Sequence, residues 1–141
     1  MIKLDTETLG FIAALENASG AQVKDCMVTD TEIIYIVNED KLGQAIGKNG
    51  IHVNKIKNAL GKPVKIIGFN QDAVKFAKNL LGYVEPKSVI LHENETEKHI
   101  IIESDYKTHS SILGKRGKKL KILKDLLKRH HNVDNVILRQ I

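Results

Sequence analysis

The stretch Ile46-Gly47-Lys48-Asn49-Gly50 recurs 67 positions later as Leu113-Gly114-Lys115-Arg116-Gly117, so an aliphatic residue precedes the same Gly-x-x-Gly pattern twice. Apolar residues follow both copies at matched offsets: Val53, Ile56 and Leu60 after the first, and Leu120, Leu123 and Leu127 after the second. A single Gly-x-x-Gly pair arises easily by chance in a chain with 10 glycines in 141 residues. The repeated flanks indicate an internal repeat rather than two ordinary helix–turn–helix connections.

A short loop with glycine at both ends and polar or basic residues between them suits a negatively charged ligand. Because glycine has no Cβ, it lets a ligand approach the main-chain N–H groups closely. The helix that follows such a loop points its positive end at the same place. Two such loops on one small chain therefore predict a surface that holds a nucleic-acid strand at two points.

The basic residues of the chain cluster around both loops. The net charge is +5 at pH 7. Six lysines and no acid lie between Lys41 and Lys65, and eight basic residues with one acid, Asp125, lie between Lys115 and Arg129. Lysines on a helix ordinarily form only a solvated face, but here they coincide with both copies of the loop. The positive charge therefore lies where a phosphate backbone would be held.

Composition excludes several classes of protein. No apolar run approaches the ~20 residues that span a bilayer, and residues 1–5 lack the basic-then-apolar pattern of a signal peptide. The single cysteine, Cys26, cannot form an intramolecular disulfide and is predicted to be a core residue on a strand. We therefore expect a cytoplasmic protein that does not cross a membrane.

The apolar spacing predicts the same order of elements in both halves: helix, strand, strand, helix, Gly-x-x-Gly, helix and strand. In the first half these are a helix over 5–18 capped by Asp5 or Thr6, strands over 23–28 and 33–37, helices over 39–46 and 52–60, and a strand over 64–67. In the second half they are a helix over 70–81 capped by Asn70, strands over 88–91 and 99–103 around a turn at 92–95, helices over 105–113 and 118–130, and a strand over 136–138. Residues 68–70 form too short a link for a flexible tether, so we expect domains at 1–68 and 69–141 that are joined rigidly.

This order, with an aliphatic residue and Gly-x-x-Gly between two helices, resembles the K-homology (KH) domain in its type II, prokaryotic arrangement. The match covers nearly the whole chain, twice. Two such domains with almost no linker are similar to the tandem KH region of the NusA family of transcription termination and antitermination factors, in its short archaeal form. The resemblance implies an α/β (α+β) fold of two tandem type II KH domains, each a three-stranded sheet covered by helices.

In KH domains about four nucleotides lie in a groove, and the Gly-x-x-Gly loop clamps their backbone. The resemblance therefore implies one RNA-binding clamp formed by Gly47, Lys48, Asn49 and Gly50, and a second formed by Gly114, Lys115, Arg116 and Gly117. Lys118 and Lys121 are candidate phosphate contacts on the helix that follows, and Ile46 and Leu113 would lie beside the groove or in the core. Because the second loop is richer in charge, we expect its domain to bind more electrostatically and with less base discrimination.

The composition favours this mode of binding over stacking on aromatic platforms. The chain has no tryptophan, three tyrosines and three phenylalanines. RRM domains and many OB folds stack bases on rings that this chain barely has. An aliphatic groove with a backbone clamp needs no ring.

Catalysis and metal binding are not expected. Residues 43–49 superficially resemble a P-loop, but three residues rather than four separate the glycines, and Asn49 stands where the Mg²⁺-binding Ser or Thr should be. His130 and His131 are adjacent, so they cannot share one helix face, and we expect them to end a helix. We therefore expect no enzyme activity, no catalytic residue, no metal and no cofactor.

The resemblance implies that the chain binds nascent single-stranded RNA and so influences transcription termination or antitermination. The alternatives are a KH-type RNA-binding module for ribosome assembly or RNA processing, and a protein-docking scaffold. Besides RNA, the candidate partners are RNA polymerase and ribosomal components. The sequence does not separate RNA from single-stranded DNA as the ligand, since only contacts to the 2′-OH would do so.

Overall fold

The computed structural model describes residues 5–141, and contacts divide the chain into two compact units, with the division between Asn70 and Gln71. The first unit consists of α1 (Thr6–Ser19), β1 (Val23–Val28), β2 (Ile33–Asn38), α2 (Leu42–Ile46), α3 (Ile51–Leu60) and β3 (Val64–Phe69). The second consists of α4 (Ala73–Leu81), β4 (Ser88–Glu93), β5 (Lys98–Ser104), α5 (Tyr106–Leu113), α6 (Lys118–His131) and β6 (Asn135–Gln140). The predicted α+β class and the repeated order of elements are confirmed.

Each unit contains a three-stranded sheet of the same topology. In the first unit β1 is antiparallel to β2, which is parallel to β3. In the second unit β4 is antiparallel to β5, which is parallel to β6. A parallel pair needs a crossover connection, and in both units the two helices around the Gly-x-x-Gly stretch provide it. The connection that closes the sheet therefore also presents the loop.

The core of the first unit lies between its sheet and its helices. Buried side chains of α1, β2 and α3 form its centre: Leu15, Ile33, Tyr35, Val37 and Ile56. The Tyr35 hydroxyl donates a 2.7 Å hydrogen bond to the Phe11 carbonyl of α1, which ties the helix to the sheet. Burial raises the pKa of Tyr35. Cys26 is 2% exposed on β1, so its predicted place in the core is confirmed.

The core of the second unit uses positions on β5 that correspond to buried positions on β2, together with the ring of Phe76. Alternate residues of β5, Ile100 and Ile102, are fully buried. Phe76 of α4 is also fully buried, and its ring centroid lies 5.6 and 5.4 Å from those of His130 and His131. Both histidines lie at the end of α6, as predicted, and both pack on the ring of Phe76. Within residues 5–141 no group of acidic, histidine or cysteine side chains is placed to hold a metal ion.

Two ends of predicted elements are corrected by hydrogen bonding. Helix α4 is capped by Asp72 rather than Asn70, because the Asp72 carboxylate accepts the N–H groups of Val74 and Lys75 at 2.9 and 3.1 Å. Strand β3 runs on through Phe69, which pairs with Asn38 of β2. Most of the predicted link over 68–70 is therefore part of the sheet.

Strand β4 is also longer than predicted. It continues to Glu93, which pairs with Lys98, so the turn lies at 94–97 and not at 92–95. The Asn94 side chain accepts the N–H groups of Thr96 and Glu97 at 2.9 and 2.8 Å and fixes this turn. The helix predicted over 39–46 begins with a 3₁₀ turn, Glu39–Lys41, before α2. Among the residues described, no helix combines the length and apolar character needed to cross a membrane.

Candidate nucleic-acid interface

The two loops, Gly47–Gly50 and Gly114–Gly117, have matching backbones. The φ angles of the first glycine, the third residue and the last glycine are 80°, 56° and 73° in the first loop. They are 74°, 57° and 73° in the second. In both loops the N–H of the last glycine donates to the carbonyl of the first, at 3.0 and 3.2 Å. Two stretches with different central residues thus form the same tight turn, with the third residue in the left-handed conformation.

The first glycine of each loop has no room for a side chain. A Cβ on Gly47 would lie 2.7 Å from Nδ1 of His52, and a Cβ on Gly114 would lie 3.0 Å from the backbone nitrogen of Lys119. Both glycines also combine a positive φ with an extended ψ, of 165° and 176°. That region of backbone space is essentially limited to glycine. The loop can therefore lie this close to the following helix only with glycine at this position.

The side chains between the glycines are exposed in both loops: Lys48, Asn49, Lys115 and Arg116. In the second unit, Lys118 and Lys121 in the first turn of α6 are exposed as well. Residues three apart are neighbours on a helix surface, so these two lysines extend the positive surface from the loop along α6. The structure thus brings the predicted residues of the second clamp together within one short segment.

The helices that follow the loops lack the caps that other helices of the chain carry. Helices α1, α4 and α5 are capped by Asp5, Asp72 and Asp105, whose carboxylates accept backbone N–H groups of the first turn. These hydrogen bonds lower the pKa of all three aspartates. By contrast, α3 and α6 have no side-chain cap and no acidic residue in their first turn. Their positive ends therefore face the loops with neither a capping side chain nor an acid of their own first turn to neutralise them.

Apolar side chains lie beside each loop at the surface. Leu113 is 36% exposed, whereas the residue before it, Ile112, is buried. Cδ1 of Leu113 lies 3.9 Å from the place of a Cβ on Gly117, so its side chain packs against the end of the second loop. Beside the first loop, Ile51 is 59% exposed at the start of α3. The sequence did not decide whether Leu113 lies beside the groove or in the core. Nothing in it indicated that Ile51 would be a surface residue.

The first loop has a brace that sequence reasoning missed. Nδ1 of His52 lies 2.9 Å from the carbonyl oxygen of Gln44, and since a carbonyl can only accept, Nδ1 carries the proton. The Gln44 amide in turn donates to the carbonyl of Ser19, at the end of α1, at 3.1 Å. These contacts connect the first loop to α1. A histidine five residues after a glycine carries no motif that would have indicated this role.

A separate cleft lies in the second unit. It has a volume of about 310 Å³ and is lined by residues of α4 and of the segment that leads into β4, including Lys78, Pro86 and Lys87. No residue of the second loop contributes to its lining. The cleft and the loop are therefore distinct places on this unit.

Comparison with known proteins agrees with the fold described above. Residues 12–76 match the model of the KH domain. A "Probable transcription termination protein NusA" of Methanococcus vannielii is 29% identical over 135 residues, which cover 96% of this chain and 78% of the relative. The protein of the same name from Halobacterium salinarum is 28% identical, with 97% of this chain and 98% of the relative covered. The chain is therefore similar to the archaeal NusA-like proteins, and residues 12–76 match the KH domain.

A solved structure supports the fold of this NusA-like chain. The crystal structure of APE1850 has a TM-score of 0.77 at 26% identity, and the match covers 96% of this chain and 100% of that chain. The KH match over 12–76 contains the whole of the first loop, while the second loop lies outside it. The second loop resembles the first in its backbone angles and in the topology of the sheet around it.

Proposed function

We propose that this NusA-like chain binds single-stranded RNA through both glycine loops, with each unit acting as one type II KH domain, and so influences transcription termination or antitermination. One observation carries the proposal: the loops Gly47–Gly50 and Gly114–Gly117 have the same backbone, and each precedes a helix whose positive end has no side-chain cap. KH domains clamp the backbone of about four nucleotides with such a loop. The role in transcription is inferred from the relatives, which are named for termination.

In this mechanism phosphate oxygens accept hydrogen bonds from main-chain N–H groups of the loop and of the first helical turn. Charged side chains then add attraction over a longer range. Residues 114–121 offer five exposed cations, Lys115, Arg116, Lys118, Lys119 and Lys121, whereas the matching residues 47–54 offer only Lys48. We therefore infer that the second clamp supplies more of the affinity and more of its salt dependence. No step of this mechanism needs a catalytic group or a cofactor.

We also propose that the two KH domains, predicted over 1–68 and 69–141, are joined rigidly and present one RNA track. The support is the short connection, because only three residues, 70–72, lie between β3 and α4. A rigid connection makes engagement of the second clamp effectively intramolecular once the first is bound, so the pair binds more tightly than either clamp alone. RNA polymerase is the partner that a role on nascent transcript implies.

The proposal is tested by fluorescence-anisotropy titration of labelled single-stranded RNA, the matching DNA strand and duplex RNA, at two salt concentrations. We expect saturable binding of single-stranded RNA that exceeds binding of the other two. With roughly four phosphate contacts, the dissociation constant for RNA should rise about 50-fold between roughly 50 and 200 mM salt. Equal binding of DNA would contradict the preference for RNA. Indifference to all three would indicate a protein-docking scaffold instead.

A further inference from the structure

Tyr106 is a highly exposed ring at the start of the helix that leads into the second clamp. It is the first residue of α5, and 71% of its surface is exposed. Aromatic residues make up only 4% of the chain, and Tyr35 and Phe76 are fully buried in the two cores. Tyrosine is enriched at binding interfaces, because its ring offers apolar contact area while its hydroxyl stays in water.

The position of Tyr106 connects it to the second clamp. Leu113 follows it by seven residues, which is about two turns, so the two side chains lie on the same face of α5. The side chain of Leu113 in turn packs against Gly117. Tyr106 and the clamp are therefore about 10 Å apart along one helix face, within the length of the four nucleotides that a KH groove holds.

The charged groups around Tyr106 include one acid, Asp105, and two cations, Lys87 and Lys107, which lie close enough to lower the pKa of that acid. The neighbouring Asp105 carboxylate caps α5 and accepts the Thr108 N–H at 2.8 Å, which lowers the pKa of Asp105 and keeps it ionised. An ionised carboxylate repels a phosphate but tolerates a neutral base. The cations Lys115 and Arg116 lie at the other end of α5, where its last residue meets the loop. The cations of the clamp therefore suit a phosphate, whereas the mixed charge beside Tyr106 leaves its ring open to a neutral base.

The first unit has a different residue at the equivalent position. The 67-residue offset that relates the two loops places Glu39 opposite Tyr106, and Asp40 follows it. The Glu39 carboxylate accepts a hydrogen bond from the Asn70 amide at 3.3 Å, and its backbone lies against Gly68. Two exposed acids stand where the second unit has a ring, so the two clamps differ in what they offer a base.

We propose that Tyr106 stacks on a base of the RNA strand whose backbone the second clamp holds. This inference rests on the proposed RNA-binding function and adds a base contact to it. Stacking on an aromatic ring tolerates any base, because every base has a π face. The second unit would then combine a backbone clamp with one stacking site, contrary to the expectation from composition that this chain reads RNA without rings.

The test compares substitutions of two exposed tyrosines in anisotropy titrations with single-stranded RNA. Tyr106→Ala should weaken binding on the order of tenfold, and Tyr106→Phe, which keeps the ring, should bind within about twofold of the unchanged chain. Tyr83→Ala is the matched control, since Tyr83 is fully exposed (105%) and follows α4, outside the second clamp. It should leave binding unchanged. Circular dichroism of each variant checks that the fold is kept.

A second readout detects the stack itself. The chain has no tryptophan, so Tyr106→Trp and Tyr83→Trp each introduce a single fluorescent indole. RNA should quench the indole at position 106 with the same saturation curve as anisotropy, and should not quench the indole at position 83. Unchanged affinity of Tyr106→Ala together with an unquenched indole at 106 would overturn the stacking proposal while RNA binding stands. Failure of the unchanged chain to bind RNA would overturn both proposals.

Discussion

Replacing Lys115 and Arg116 together with aspartate is expected to weaken RNA binding about a hundredfold without unfolding the protein. Two charge-assisted contacts to phosphate, each contributing roughly 1.5 kcal/mol or more, are lost and replaced by repulsion. Both side chains are exposed, so no core contact is removed. The backbone also accepts the change, since Arg116 has a φ of 57°, a conformation that aspartate adopts more readily than most residues.

Affinity is measured by anisotropy and stability by thermal unfolding of the same samples. The control is Lys75→Glu/Lys78→Glu, which changes the net charge equally on exposed positions of α4. The neighbouring Phe76 packs on His130 and His131, so the control lies beside the far end of α6, ~20 Å from the loop. It should reduce binding only a few-fold. An equal loss in both variants would mean that overall charge, and not the clamp, holds the RNA.

The corresponding change in the first loop, Lys48→Asp/Asn49→Asp, should have a smaller effect. One cation is removed instead of two, and no lysine equivalent to Lys118 follows, because Ile51 stands there. A loss of about tenfold is expected. A larger loss than that of the second-loop variant would reverse the proposed order of the two clamps.

Replacing Gly114 with alanine is expected to destabilise the second unit by about 3 kcal/mol or more, whereas Gly117→Ala should cost only about 1 kcal/mol. A Cβ at Gly114 meets the backbone of Lys119 at 3.0 Å and its side chain at 2.6 Å, in addition to the unfavourable φ of 74°. At Gly117 the nearest atom is 3.9 Å away. Only the left-handed backbone is then unfavourable for alanine there.

Urea unfolding of the two variants measures this difference. Gly10→Ala serves as a control of opposite sign, because Gly10 lies inside α1 with no atom within 4 Å of its Cβ position, and alanine should stabilise the helix by up to ~1 kcal/mol. Equal costs at Gly114 and Gly117 would mean that the loop relaxes to admit a side chain. In that case the clamp would not depend on close packing between the loop and α6 for its position.

Much of the fold follows from the sequence because the repeat constrains it twice. Continuous apolar runs mark the middle strands, at 33–37 in β2 and 100–102 in β5, and the predicted bounds of β1 are those observed. The helices on either side of each Gly-x-x-Gly were predicted within a few residues, since glycine marks their ends. These are local signals that tertiary contacts did not override.

The misplaced ends have a common physical cause. Asn70 and Asp72 are both good capping residues, and only tertiary structure decides between them, because β3 continues through Phe69 to pair with Asn38. In the same way β4 reaches Glu93 because Lys98 is there to pair with it. Strand ends depend on the partner strand, which lies far away in sequence.

The candidate site was predictable in its residues but not in its geometry. The sequence identifies both loops and their lysines, but it does not show that Gly114 is tightly packed while Gly117 is not. Nor does it show that Phe76 is a core ring that packs on His130. The exposure of Tyr106 depends on which face of α5 the core covers, so only the structure could show it.

The central claim is that the two glycine loops are the places where RNA touches this chain. The most direct measurement is a two-dimensional nitrogen–proton NMR titration of the ¹⁵N-labelled protein with short single-stranded RNA. We predict that the largest shifts fall on the amides of residues 47–50 and 114–117 and on the first turns of α3 and α6. Shifts that leave both loops unmoved and cluster elsewhere, such as around the cleft at Lys78 and Lys87, would contradict the account.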